Sequence, residues 1–318
     1  MNIVKIITCD SKIWNVEQVI LDMTQASLKG PVVIDLLHEG PCNQSINLDH
    51  LLNSVTELKV QSIQTANQIQ SSSFLETRFS FVELNMARKK AETTVPSTSS
   101  LEKRFAMFIS RSNWQRLGLA SYLWKHYKDT ALITYHYDGT LDYHKENFGL
   151  ETLLQKHWNT RHAVYEFLEQ LPITLDHQTY PILWNQRAFD LDNHYNQIFC
   201  ELVCETFFTG KTFMMTEKTM RPIIQRRPFV VQGPKFYLEN LKALGFKTFD
   251  TWWDESYDID GPDGQFESIR WTIDYIGKQS PEIISDWYNQ MQPVLEHNAK
   301  VLSQLTDQQV TTTQFKSE

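Results

Sequence analysis

Glycine is scarce in this sequence, and its placement excludes more than its number. There are 11 glycines in 318 residues, about half the usual ~7%. No two of them flank a single residue, so the G-x-G-x-x-G dinucleotide fingerprint is absent. Gly210-Lys211 has Glu205 where a Walker A loop needs its first glycine, which excludes the P-loop. Cysteine is also sparse. Cys9, Cys42, Cys200 and Cys204 form no C-x-x-C pair, and Cys200 and Cys204, one helical turn apart, read as two small buried residues on one helix face. So few cysteines without a signal peptide fit a reducing cytoplasm. No apolar run is long enough to span a membrane. Positive charge is in deficit, with 30 Lys and Arg against 38 Asp and Glu and a net charge of −8. That argues against coating nucleic acid through bulk charge, though not against a local basic cleft. The sequence also lacks H-E-x-x-H, G-x-S-x-G and any metal-spaced histidine cluster.

Apolar material is plentiful: 41% of residues are hydrophobic and 12% aromatic. The length favours two domains, and this composition can fill two cores. Ile3–Thr8 reads as a strand, Val16–Ala26 as a helix and Val32–Leu37 as a buried parallel strand. A helix is expected over Leu48–Leu58, with short strands at Ser62–Thr65 and Arg78–Leu84. The polar stretch 90–101 reads as a linker, placing an N-terminal acceptor-side α/β domain at 1–99. The pattern restarts with a strand at Arg104–Ile109, a helix over Trp114–Lys128, a strand at Ala131–Tyr135 and a helix over Leu150–Leu171. Tyr195–Phe208 looks helical. A strand ending at Met215, a helix from Glu217, a strand at Pro228–Gln232, a helix over Lys235–Leu244 and a strand at Gly245–Phe249 follow. The alternation predicts a second, mainly parallel sheet. Ser280, Pro281 and Glu282 mark a last helix start, with a kink at Pro293. The second domain thus covers 100–305, and the polar tail 306–318 is expected to be disordered.

Two polar clusters invite a metal reading that a solvated loop explains better. His136 and His144 bracket a Tyr/Asp-rich turn, and Asp258-Ile-Asp260 is a D-x-D inside a Gly/Pro turn. An EF-hand fails there because Asp263 stands where glycine is required. The segment from Glu205 to Asp258 carries more. Thr216-Glu217-Lys218 falls at a loop-to-helix junction, where free N–H groups and the helix dipole can hold phosphate without a glycine loop. Lys218 and Arg221 in the first turn oppose the dipole, an arrangement a bound anion would explain. Glu217 suits sugar or ribose hydroxyls. Glu39 follows a buried strand at its C-terminal end, where α/β ligands bind, and is the candidate base, with Asp35 and His38 behind it. Trp252, Trp253 and Tyr257 either anchor a loop or line a sugar pocket.

Thr216-Glu217-Lys218, followed by a helix and Arg227-Pro228-Phe229-Val230-Val231-Gln232-Gly233, resembles the T-E-K…P-V-V-x-G signature of the α-1,3-fucosyltransferase family. Val203-Cys204-Glu205-Thr206 sits at that family's F-E-N position. Lys103–Ser110 with Asn113 and Arg116 is similar to its strand–Ser-Asn–Arg motif. The block with GFKTF and WWDESYD, and Ile34–Pro41, also resemble uncharacterised glycosyltransferase-like proteins of phages and large viruses. The resemblance implies a GT-B architecture, two Rossmann-like domains facing a cleft with a C-terminal helix closing the structure. It implies a nucleotide-diphosphate sugar as co-substrate and no other cofactor or metal. Arg116 and Lys218 would neutralise the diphosphate, with Asn113, Thr216 and Arg221 beside them. Glu217 would hold the ribose, and Glu205 would face the nucleotide or the sugar. The acceptor would be a hydroxymethylated base in phage DNA or a surface glycan. Phe213 and Met214 replace the family's acidic residue and tyrosine, so the likeness does not extend to GDP-fucose. The rival is a non-catalytic nucleotide- or glycan-binding module on the same fold.

Overall fold

The computed structural model describes residues 2–5, 16–36, 60–65, 75–77, 82–95, 100–110, 112–136, 149–175, 191–206, 208, 213–313 and 315–316. The fold is α/β, with two four-stranded parallel sheets in sequence, as the alternating pattern predicts. In the first, β1 (Asn2–Lys5), β2 (Val32–Leu36), β3 (Val60–Thr65) and β4 (Leu75–Thr77) lie side by side in chain order. Helix α1 (Val16–Ser27) makes the β1-to-β2 crossover. The expected helix at 48–58 lies outside the described residues.

Helix α2 (Val82–Thr93) replaces the end of the expected strand at 78–84 and the start of the expected linker at 90–101. Its Leu84, Ala87 and Ala91 are buried in the main core, and α2 packs on helices of the second half. The stripe at i, i+3 and i+7 is helical, but two of its members are alanines flanked by Arg88, Lys89 and Lys90, so its hydrophobic signal is weak.

The second sheet has the order β6-β5-β7-β8. Strand β5 (Lys103–Ile109) leads through α3 (Trp114–Tyr127) to β6 (Ala131–Tyr135) on one side. The chain continues through α4 (Leu150–Lys156) and α5 (Arg161–Leu168), then returns to the other side of β5 as β7 (Ile198–Cys204). Helix α6 (Glu217–Ile224) and β8 (Phe229–Gln232) complete the sheet. Ile198–Cys204 is therefore a strand where the sequence suggests a helix. All seven of its residues are buried, and a central strand covered on both faces loses the alternation that would identify it. Cys200, Leu202 and Cys204 share one face at period two, which the one-turn spacing of the cysteines disguises.

Helices α7 (Tyr237–Ala243), α8 (Pro262–Gly277), α9 (Pro281–Gln304) and α10 (Asp307–Thr312) finish the fold. The expected strand at 245–249 is irregular chain. Asn298 holds it there, accepting from the Lys247 amide and donating to the Lys247 carbonyl, each at 2.8 Å. Helix α9 starts at the Ser280 cap as predicted and runs unbroken through Pro293. The tail expected to be disordered instead forms α10, closed by a capping box between Thr306 and Gln309, with Val310 fully buried.

Candidate functional site

The strand order of the second sheet reverses between β5 and β7, because the chain leaves β5 toward β6 and returns to β5's other edge. Helices α3 and α6 start beyond the carboxyl ends of those two strands. The crevice outside such a reversal is where open α/β sheets bind ligands. Among the described strands the first sheet has no reversal.

Both helix starts carry a side-chain cap. The Asn113 side chain accepts from the Arg116 amide at 2.9 Å, and Thr216 Oγ1 accepts from the Lys218 amide at 3.3 Å. The α3 start is covered: a Cβ on Gly149 would lie 2.1 Å from the Trp114 nitrogen. Gly149, at φ +79°, thus seats directly on the first amide of α3, a conformation and an approach that suit glycine.

Arg116, Glu205, Thr216, Glu217 and Lys218 are brought together at the ends of β5 and β7. The Arg116 guanidinium donates to the Glu205 carbonyl at 2.6 Å and the Cys204 carbonyl at 3.4 Å, pinning the chain where it leaves β7. Lys218 Nζ lies 3.1 Å from Thr206 Oγ1, 3.3 Å from Thr216 Oγ1 and 3.2 Å from Glu217. Burial works against the charge on Glu217, but Lys218 and Arg221 outweigh it and hold its carboxyl below the usual range. This is an ionised acid at the first position of α6, next to a partly exposed ammonium.

Glu205, expected to face the ligand, faces inward. Its carboxylate is 1% exposed and accepts from both Thr206 and Thr216 amides, both threonine hydroxyls at 216 and 219, and the Tyr237 phenol. Both oxygens are fully engaged in holding β7, the start of α6 and α7 together. Thr219 and Tyr237 are unmarked in the sequence because they lie in separate elements and meet only in the folded chain, where both reach this carboxylate and their hydroxyls lie 2.9 Å apart.

Arg221 is likewise turned away from the crevice. Its guanidinium meets Glu201 of β7 at 2.9 Å and lies over the Phe108 ring. Burial alone would lower its pKa, but the Glu201 carboxylate reverses the sign. The Tyr195 hydroxyl donates to the other Glu201 oxygen. The cation that opposes the dipole in sequence is thus matched by a buried acid. An acid inside the apolar run 198–204 is the signal that a buried partner exists.

Glu39 and His38 lie outside the described residues, as does the side chain of Asp35 in β2. Asp258 caps α7, accepting from the Leu238 and Glu239 amides at 2.7 and 3.1 Å, and Asp260 accepts from the Ser268 hydroxyl. Among the described residues no three His, Cys, Asp or Glu side chains are grouped to hold a metal ion. Trp253, whose ring packs on Phe249, and Tyr257 are buried in the main core and anchor their loop. Burial pushes the Cys204 thiol up to about 12, leaving it unreactive. No described helix is long and apolar enough to cross a membrane.

No protein-family model matches the chain, and no curated protein does. Among solved structures it is similar to the apo structure of OtsA, at 11% identity and a TM-score of 0.46 over 90% of this chain and 68% of that one. It is also similar to the N-terminal domain of Candida albicans trehalose-6-phosphate phosphatase, at 11% identity and a TM-score of 0.39 over 85% of this chain and 63% of that one. Likenesses of this size carry no argument about function, which rests on the geometry of the second sheet.

Proposed function

We propose that the chain is a GT-B-type glycosyltransferase that moves a sugar from a nucleotide-diphosphate donor to an acceptor hydroxyl without a catalytic metal. The observation that supports this reading is the capped start of α6, with Lys218 beside it, at the topological reversal between β5 and β7. Departure of a nucleoside diphosphate places negative charge on the leaving oxygens. Preorganised amides, a helix N-terminus and a fixed cation stabilise that charge without reorganising. Lys218 is the cation at the diphosphate, and Arg116 stands behind it as the clamp on residues 204–205. Glu217 accepts from ribose hydroxyls, for which an ionised carboxylate is suited.

Deprotonating the acceptor needs a base from elsewhere, and Glu39, with Asp35 on β2, is the candidate. The acceptor is a glycan hydroxyl or a hydroxymethylated base, the class suggested by the resemblance to phage and large-virus proteins. A base inside duplex DNA would have to be extruded before transfer.

The test is a thermal-shift screen of UDP, GDP, ADP and CMP, followed by donor hydrolysis with the sugar conjugates of whichever nucleotide stabilises the fold. Stabilisation and slow hydrolysis are expected, both lost in Lys218→Ala. Binding without turnover of any donor would leave a nucleotide-binding module and sink the enzyme reading.

A further inference from the structure

The C-terminal segment touches the wall of this site. After α10, Phe315 is nearly buried and stacks on Phe213, with ring centroids 4.7 Å apart and planes 23° from parallel. The next residue is fastened by its backbone: the Lys316 amide donates to Asn240 Oδ1 at 2.7 Å, and Asn240 Nδ2 donates to the Lys316 carbonyl at 3.0 Å. Lys316 Nζ adds a pair with Glu239 and sits over the Phe236 ring. A single strap of chain is thereby tied to α7 and to Phe213.

Phe213 precedes the α6 cap by three residues, in a stretch with no regular secondary structure. Phe213, Met214 and Met215 are all buried, so side-chain packing rather than a strand ladder sets where Thr216 falls. Phe213 also packs on Tyr237, whose hydroxyl donates to Glu205, and Glu205 accepts from Thr216 and Thr219. Continuous contact therefore runs from the C-terminal segment to the start of α6.

We propose that the C-terminal segment is a strap that positions the anion-binding start of α6, with Phe315 on Phe213 as its decisive contact. Phe315 acts through Phe213 and is a positioning residue. The effect on ligand binding rests on the glycosyltransferase reading; the effect on α6 does not. A route of contacts becomes coupling only when perturbing one end moves the other.

The experiment is hydrogen exchange on the full chain, reading the ratio of exchange rates at 216–220 to those at 284–302 in α9. Phe315→Ala is expected to raise that ratio about tenfold or more, and Phe315→Tyr, which keeps the ring, to leave it near its original value. If Phe315→Ala loosens the whole fold, Phe315→Leu is read the same way. A ratio unchanged in both overturns the strap. Any nucleotide that stabilises the unmodified chain should bind Phe315→Ala roughly three- to thirtyfold more weakly, with affinity restored in Phe315→Tyr. Unchanged affinity beside a raised ratio overturns its role in binding. If the unmodified chain binds none of the four nucleotides, the glycosyltransferase reading fails, and the exchange ratio still decides the strap.

Discussion

Replacing Glu205 by glutamine keeps the shape of the side chain but removes its charge and one acceptor oxygen. Oε1 accepts from the Thr216 amide, Thr219 and Tyr237, so the oxygen of the new carboxamide would take that position. Its NH2 would then face the Thr206 amide and the Thr216 hydroxyl, both of which now donate to Oε2. Thr216 cannot simply turn to accept, because its oxygen already receives the Lys218 amide and ammonium. The Thr216 bond, at 2.5 Å, is charge-assisted, and such bonds contribute about 1.5–3 kcal/mol. The Thr206 amide, donating at 3.3 Å, adds less. Glu205→Gln should therefore lower unfolding free energy by about 2–4 kcal/mol in urea denaturation at neutral pH, with the slope against urea unchanged. The opposite sign is physically possible, since neutralising a buried carboxylate relieves its desolvation. A variant as stable as the parent, or more stable, would refute the description of Glu205 as the hub. Thr219→Val in the same background tests the origin of the loss, because a shared bond makes the two substitutions less than additive.

Other perturbations probe separate parts of the structure around the second sheet. Gly149→Ala forces a positive φ on a residue with a Cβ and drives that atom into the Trp114 amide, so a loss of at least about 1–3 kcal/mol is expected; an unchanged melting temperature would show that the chain does not seat on α3. Arg221→Met strands the Glu201 carboxylate against Tyr195 in the core and should cost about 3–5 kcal/mol, with most of it recovered when Glu201→Leu is added; equal losses in the single and double variants would refute a dominant ion pair. Burial raises Glu255 from 4.5 to about 7, so the folded state binds its proton more tightly than the unfolded chain does. That stabilisation is complete below about pH 4.5 and is lost as pH rises through 7, so the parent should decline across this window by at most about 3 kcal/mol from this group. Glu255→Gln should decline less, and a parallel pH profile for the two proteins would be the contrary result.

The legible parts of the chain are those whose signal is local. Asn113 and Thr216 announce their helices because a cap is decided within one turn, and Val32–Leu36 and Phe229–Gln232 announce strands by β-branched and aromatic residues in short runs. Where tertiary contact decides, the sequence is silent or misleads. Ile198–Cys204 is buried on both faces and carries an acid, so neither period shows, and Glu201 is explained by its buried partners Arg221 and Tyr195. The helix Val82–Thr93 is held by alanines against other helices rather than by a conspicuous apolar stripe. The tail has two apolar anchors, Val310 and Phe315, too few to form a periodic pattern.

Two helices begin at the reversal of the second sheet, and they are not equivalent. The start of α3 is closed by Gly149 resting on its first amide, and Arg116 is turned onto the carbonyls of 204 and 205. The start of α6 carries a partly exposed lysine held by two hydroxyls and one carboxylate. An arriving phosphate can replace hydroxyl contacts with a stronger charge-assisted pair, whereas at α3 it would first have to displace backbone. Scarce glycine fits this division. A glycine-rich loop bends backbone amides around a phosphate; here a threonine cap and a lysine stand at a helix start, and one of the few glycines closes the competing helix. The anion site predicted by this asymmetry is therefore at α6 alone, and its strength follows how firmly Glu205 and Phe213 hold the residues before Glu217.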